Sequence, residues 1–124
     1  MFAPEPFVAT RIAATAEALD ALAPAEDVVS LRLAPDDLLV LAAVAPDLAD
    51  PDAIVTPDSG WAGAWLDSGE AAELLARHAD WPLPATGLAQ GAAAGVPVKV
   101  LVEDGRTLLL VPAAFAVELA ERLQ

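Results

Sequence analysis

Residues 95–124, GVPVKVLVEDGRTLLLVPAAFAVELAERLQ, spell strand, tight turn, strand and helix, and the rest of the chain is read outward from them. Asp104-Gly105 is a two-residue hairpin signal, because a type I′ turn requires positive φ at both central positions and Asp-Gly tolerates that. A turn there sets the register. Glu103 faces Arg106, Leu101 faces Leu108 and Lys99 faces Leu110 on one side of the ribbon, while Val102/Thr107, Val100/Leu109 and Val98/Val111 pair on the other. The second side is almost wholly apolar and belongs to a core. The first mixes an ion pair with Leu101, Leu108 and Leu110, so it is expected to be covered in part by this chain or by a partner. Pro112 ends the second strand and suits a first helical turn. The spacing then predicts an amphipathic helix over Ala113 to Leu123, with Phe115, Ala116, Leu119, Ala120 and Leu123 on one stripe and Glu118 and Arg122 paired beside it.

The 124 residues suffice for one domain with a single core, 1–124, with residues 1–8 as an extended arm carrying Phe2 and Phe7. Apolar residues make up 56% of the chain, but they are mostly Ala, Leu and Val, so the core is built of small side chains. No run of apolar residues is long enough to span a membrane, and Met1 is not followed by a basic region and a cleavable apolar segment. A cytoplasmic protein is expected. Nineteen acidic against six basic residues give a formal charge of −13, which makes nucleic acid a poor partner and leaves solubility or a basic protein as the use of the charge.

Working back through the chain, the pattern Ile12, Thr15/Ala16, Leu19, Leu22 predicts a helix from Thr10 to Leu22, capped by Thr10. Val28 to Leu33 reads as a strand, Pro35-Asp36-Asp37 as a turn, and the continuously apolar Leu38 to Val44 as a strand buried on both faces. Two extended segments follow, Ala53 to Val55 and Trp61 to Leu66. Asp67 with Glu70 three residues on opens a helix over Gly69 to Ala79. Asp80 to Gly95, rich in Pro, Gly and Ala, reads as a connection. The order α-β-β-β-α-β-β-α predicts an α+β fold, one mostly antiparallel sheet with helices packed on one face.

Reactive chemistry finds little footing. The chain has no cysteine, no tyrosine and one histidine, which removes thiolate nucleophiles and the usual zinc-ligand sets. His78 falls near the end of a predicted helix, where the macrodipole favours a cation. Ser59 and Ser68 sit in no G-x-S-x-G setting. Asp58-Ser59-Gly60 shares its three residues with the aspartic-protease motif, but it lacks an apolar approach and reads as a turn before a tryptophan-bearing strand. With Lys99 the only lysine and no Gly-rich loop beside it, a phosphate-binding loop is ruled out. No catalytic residue, cofactor or metal ligand is assigned.

Three segments together carry a family resemblance: Leu33-Ala34-Pro35-Asp36-Asp37-Leu38-Leu39, then Val55 to Ala72, then Gly95 to Ala116. In this order they resemble the gamma subunit of heterotetrameric sarcosine oxidase, itself related to the folate-binding domain of aminomethyltransferases. The chain departs from that pattern at 45–52, a loop where the family has a helix, and at Ala113-Ala114, where Arg-Ser is common. The resemblance implies a non-catalytic subunit, with flavin, NAD and folate held by larger chains. The expected partners are larger protein subunits, a flavin oxidase among them, or further copies of this chain, met through Leu101, Leu108 and Leu110 or through Phe2 and Phe7. The alternative is a stand-alone acidic binding module, of inhibitor or immunity type, for a basic partner.

Overall fold

The computed structural model describes every residue except Met1, Pro24 and Glu26. Its strands are β1 (Glu5–Phe7), β2 (Thr10–Ala13), β3 (Ser30–Ala34), β4 (Asp37–Val40), β5 (Ile54–Pro57), β6 (Trp61–Asp67), β7 (Gly87–Ala93), β8 (Val96–Glu103) and β9 (Arg106–Pro112). Its helices are α1 (Ala16–Asp20), α2 (Ser68–His78) and α3 (Ala116–Arg122), the last preceded by a 3-10 turn, Ala113–Phe115. The class is α+β, as expected, but the strands form two antiparallel sheets rather than one. Packing divides the chain into two compact units, residues up to Pro6 with Gly60–Gln124, and Phe7–Ser59.

The first unit holds the five-stranded sheet β1-β6-β9-β8-β7. Its hairpin has the register read from Asp104-Gly105: Glu103 opposes Arg106, Leu101 opposes Leu108 and Lys99 opposes Leu110. The turn itself differs from the type I′ expectation. Gly105 has φ +78° whereas Asp104 is not in the left-handed region, so one positive-φ position, filled by glycine, is enough to close the ribbon. Because side chains alternate across a strand, Ala62, Leu66, Val98, Val100, Leu109 and Val111 fall on one face, where they pack with Ala71, Leu74 and Leu75 of α2 and with Leu119 of α3. The helices of this unit thus gather on one face of its sheet.

Asp67 caps α2 through its carboxylate, which accepts from the backbone N–H groups of Gly69 and Glu70 at 2.9 and 3.4 Å. At the other end of the chain α3 starts later than predicted. Phe115 belongs to the 3-10 turn and is 39% exposed, so the buried stripe is carried by Leu119 and Leu123 with Ala116 and Ala120 beside them. Arg122 bridges Glu118 one turn back and donates to the Ala94 carbonyl at 2.6 Å, tying α3 to the β7–β8 turn.

The connection read over 80–95 contains a strand instead. β7 pairs along β8 from Gly87↔Val102 to Ala93↔Val96. Its sequence, GLAQGAA, has little strand propensity of its own, and the pairing partner supplies the order. Ala94 and Gly95 turn the chain with φ values of +51° and +80°, a two-residue hairpin of the kind that needs both central residues left-handed. The described part of the arm predicted at residues 1–8 is attached: Phe2 is buried among the residues of the main core and Glu5–Phe7 forms the edge strand.

The second unit holds the four-stranded sheet β3-β4-β2-β5. The helix expected from Thr10 splits into β2 and the short α1. Ile12 and Leu19 lie seven residues apart, a spacing compatible with helix, yet Thr10, Arg11, Ile12 and Ala13 alternate between buried and more exposed positions as a strand does. Thr15, not Thr10, is the cap, its hydroxyl accepting from the Ala18 N–H at 3.1 Å. The Thr10 hydroxyl instead donates to the Ala42 carbonyl at 2.7 Å. β3 and β4 form a hairpin across Pro35-Asp36, and Leu38, Leu39 and Val40 are all buried, as expected for a strand covered on both faces. That strand ends at Val40 rather than Val44. Among the described residues no helix is long and apolar enough to cross a membrane.

Candidate docking site

Ile12, Leu38 and Val40 point to the α1 side of the second sheet and form a small cluster with Leu19. Beyond them the layer is incompletely filled. A cavity of about 380 Å³ opens there, floored by Leu38, Val40 and Ser30, roofed by Leu19 and Leu22, and closed at its sides by Ala23, Ala25 and Val28 and by the loop Ala42, Val44, Ala45 and Pro46. Its size is that of a small-ligand pocket or a seat for one or two large side chains. Four of its lining residues are alanines, whose short side chains leave the space that Leu or Ile would fill. Among the described residues Ser30 supplies the one polar side chain of the lining. Val44 stands at the mouth, 78% exposed. Such a site binds by excluding water from apolar groups.

An ionic cluster lies on β2 and its neighbours. Arg11 meets Asp37 in a two-pronged pair, Nε to Oδ1 and an Nη to Oδ2, both 2.6 Å, and reaches Asp58 at 3.5 Å. All three side chains are partly buried. Hydrogen bonding to Asp37 first of all, aided by the charge of both carboxylates and opposed by partial burial, raises the Arg11 pKa above its ordinary value. Asp58, the acid of the Asp-Ser-Gly tripeptide, is therefore held by an arginine, and its backbone N–H donates to the Ala9 carbonyl at 2.9 Å. His78 is the last residue of α2, and its carbonyl accepts from Ala94 N–H at 2.7 Å. Among the described residues no group of three or more His, Asp or Glu side chains is placed to hold a metal ion.

The residues singled out for docking are not brought together as a free surface. Leu108 and Leu110 are fully buried and Leu101 is half-buried. On the strands around them Lys99 Nζ lies 5.3 Å from the centroid of the Trp61 ring and the Arg106 guanidinium 3.8 Å from that of Trp65, while Arg106 also bonds Glu103 at 2.9 Å. Phe2 is buried in the main core and Phe7 is half-buried. Exposed apolar side chains lie elsewhere, at Val8, Val44, Ile54, Val55, Phe115 and Val117. The pocket was missed because its walls, taken one by one, are ordinary core residues. The one sequence signal for it is the alanine-rich run after β4, too small in volume to complete a layer. Compared with models of known protein families and with characterised proteins, the chain finds no match.

Proposed function

We propose that this chain is a non-catalytic accessory subunit or adaptor, similar to the gamma subunit of sarcosine oxidase, that docks in the cytoplasm on larger chains of a flavin-dependent oxidase. The observation that carries the proposal is the apolar pocket beside exposed Val44 on an otherwise strongly acidic chain. A surface that is charged in sum and apolar at one concave spot suits recognition of a partner's projecting apolar side chains. Arg11 offsets part of the charge of Asp37 and Asp58 and links β2 to β4 and to the residue that follows β5. The sequence resemblance, carried by segments on both units, supports the assignment to an oxidase. The test is to isolate the tagged full-length chain from its native host under mild conditions and follow flavin absorbance. Co-elution of flavin with the chain in fixed proportion is the expected result.

The charge of −13 favours a second reading, a free-standing acidic module that binds and silences a basic protein. The two separate on what binding does: an accessory subunit leaves its partner active, whereas an inhibitor suppresses it.

A further inference from the structure

Among the described residues no strand pairs with the outer edge of the second sheet. β5 is its last strand, pairs on one side with β2, and exposes all four of its residues. The Asp58 N–H donates to Ala9, and backbone groups alternate in direction along a strand. Thr56 and Ile54 therefore turn their N–H and C=O toward β2, while Val55 and Pro57 turn theirs outward. Pro57 has no N–H, so Val55 holds the outward donor of the strand, flanked by outward carbonyls. Side chains at this edge are apolar on both faces: Ile54 is 64% exposed and Val55, on the opposite face, 46%. Such an edge is ordinarily blunted by a lysine, a bulge, a proline or a short length. β5 has no lysine and no bulge, but it is short and closes on Pro57, so the pairing it can offer an added strand centres on Val55.

Charge decides what would pair with it. Between Arg32 and Arg77 the chain has nine acidic residues and no basic one, and β5 lies near the middle of that stretch, bracketed by Asp50 and Asp52 before and Asp58 after. A second copy added antiparallel about Val55 would bring Asp52 toward the Arg11–Asp37–Asp58 cluster of its mate, which stays negative in sum because one guanidinium serves two carboxylates, and like charges brought together across a pairing are destabilising. A strand with basic ends meets the same aspartates favourably. We propose that β5 takes up an extended, basic-flanked segment of a partner protein as a fifth strand of this sheet, an edge-addition mode in which backbone bonds supply affinity and flanking charges supply selectivity. The proposal rests on reading the chain as a docking module and adds the form and charge of what it captures.

The test uses the full-length, isotope-labelled chain and a synthetic peptide of alternating Val and Thr with two lysines at each end, beside a control of equal charge in which the central valine is proline. Binding of the first peptide is expected to slow exchange of the Val55 amide by about tenfold or more, with the control binding about tenfold more weakly. Val55→Pro, which deletes the outward donor, is expected to weaken binding of the first peptide by about tenfold; Val55→Lys, which keeps the strand and adds a repelling charge, is expected to weaken binding by about fivefold or more and guards against misfolding of the proline variant. Equal binding of both peptides, no binding at millimolar peptide, protection confined to residues outside β5, or protection of Val55 by self-association without peptide would each overturn the proposal. A chain that protects Val55 but never co-elutes with flavin would keep the strand site and lose the oxidase assignment.

Discussion

The indole of Trp81 lies directly over the backbone of Gly91: a Cβ added at 91 would stand 2.6 Å from its Nε1 and 2.7 Å from its Cε2, while Nε1 donates to the neighbouring Ala92 carbonyl at 2.8 Å. Both residues fall in a stretch that reads as a loop, yet together they lock a strand of weak propensity to the segment that leads into it. Gly91→Ala is expected to push the ring off its seat and cost about 1–3 kcal/mol, the range for forcing extra volume into a packed site. Denaturant unfolding measures the loss, and Trp81 fluorescence should shift to the red. An unchanged midpoint would show that the ring does not need the glycine.

The Arg11–Asp37 pair has two-pronged geometry and partial burial, which sets it apart from ordinary surface ion pairs. Asp37→Ala is expected to destabilise the fold by about 1–2 kcal/mol, and a double-mutant cycle with Arg11→Ala should recover a coupling of about 1 kcal/mol. The pH dependence follows from the sign of the shift. A guanidinium whose pKa is raised in the folded state contributes stability that is fully present below the pKa of an unfolded arginine and is lost only as pH climbs through the folded value. Deprotonation of Arg11 is therefore not expected to produce an unfolding step anywhere between neutral and moderately alkaline pH.

Asp67 accepts two of the N–H groups that the start of α2 leaves without helical partners. Asp67→Ala is expected to cost about 1 kcal/mol and Asp67→Asn a few tenths, since the amide still accepts. Thermal melting of the three proteins side by side gives the order wild type, Asn, Ala.

Filling the pocket should separate docking from stability. Ala42 lines the cavity and bonds Thr10 through its backbone carbonyl, which substitution leaves in place. Ala42→Leu is expected to place its side chain in the cavity, hold or raise stability by up to about 1 kcal/mol, and weaken partner binding by about tenfold. Loss of stability with binding intact would show that the cavity is not where the partner sits.

What could be read in advance follows from where local chemistry and tertiary structure agree. The β8–β9 register was legible because Asp-Gly fixes a turn and the flanking residues alternate strictly, so one choice orders ten residues. α2 was legible because Asp67 and Glu70 mark its start and Ala71, Leu74 and Leu75 share a face. β7 was not, since Gly, Ala and Gln carry no strand signal and the order comes from pairing with β8. β2 was absorbed into a helix because Ile12 and Leu19 satisfy a helical period as readily as they satisfy two separate elements. Leu108 and Leu110 share a face with Lys99 and Glu103, so the sequence says only that this chain or a partner covers the face in part, while the structure buries both leucines completely. The cavity is volume that alanines fail to fill, and missing volume leaves no motif.

The central claim, that this chain serves larger oxidase chains without chemistry of its own, is tested most directly by deleting it from its native host and assaying assembly and turnover of the flavin oxidase complex. The account expects the larger chains to lose their native assembly and most of their activity, with both restored when the chain is returned. A complex that assembles fully and turns over at its normal rate without this chain would contradict it.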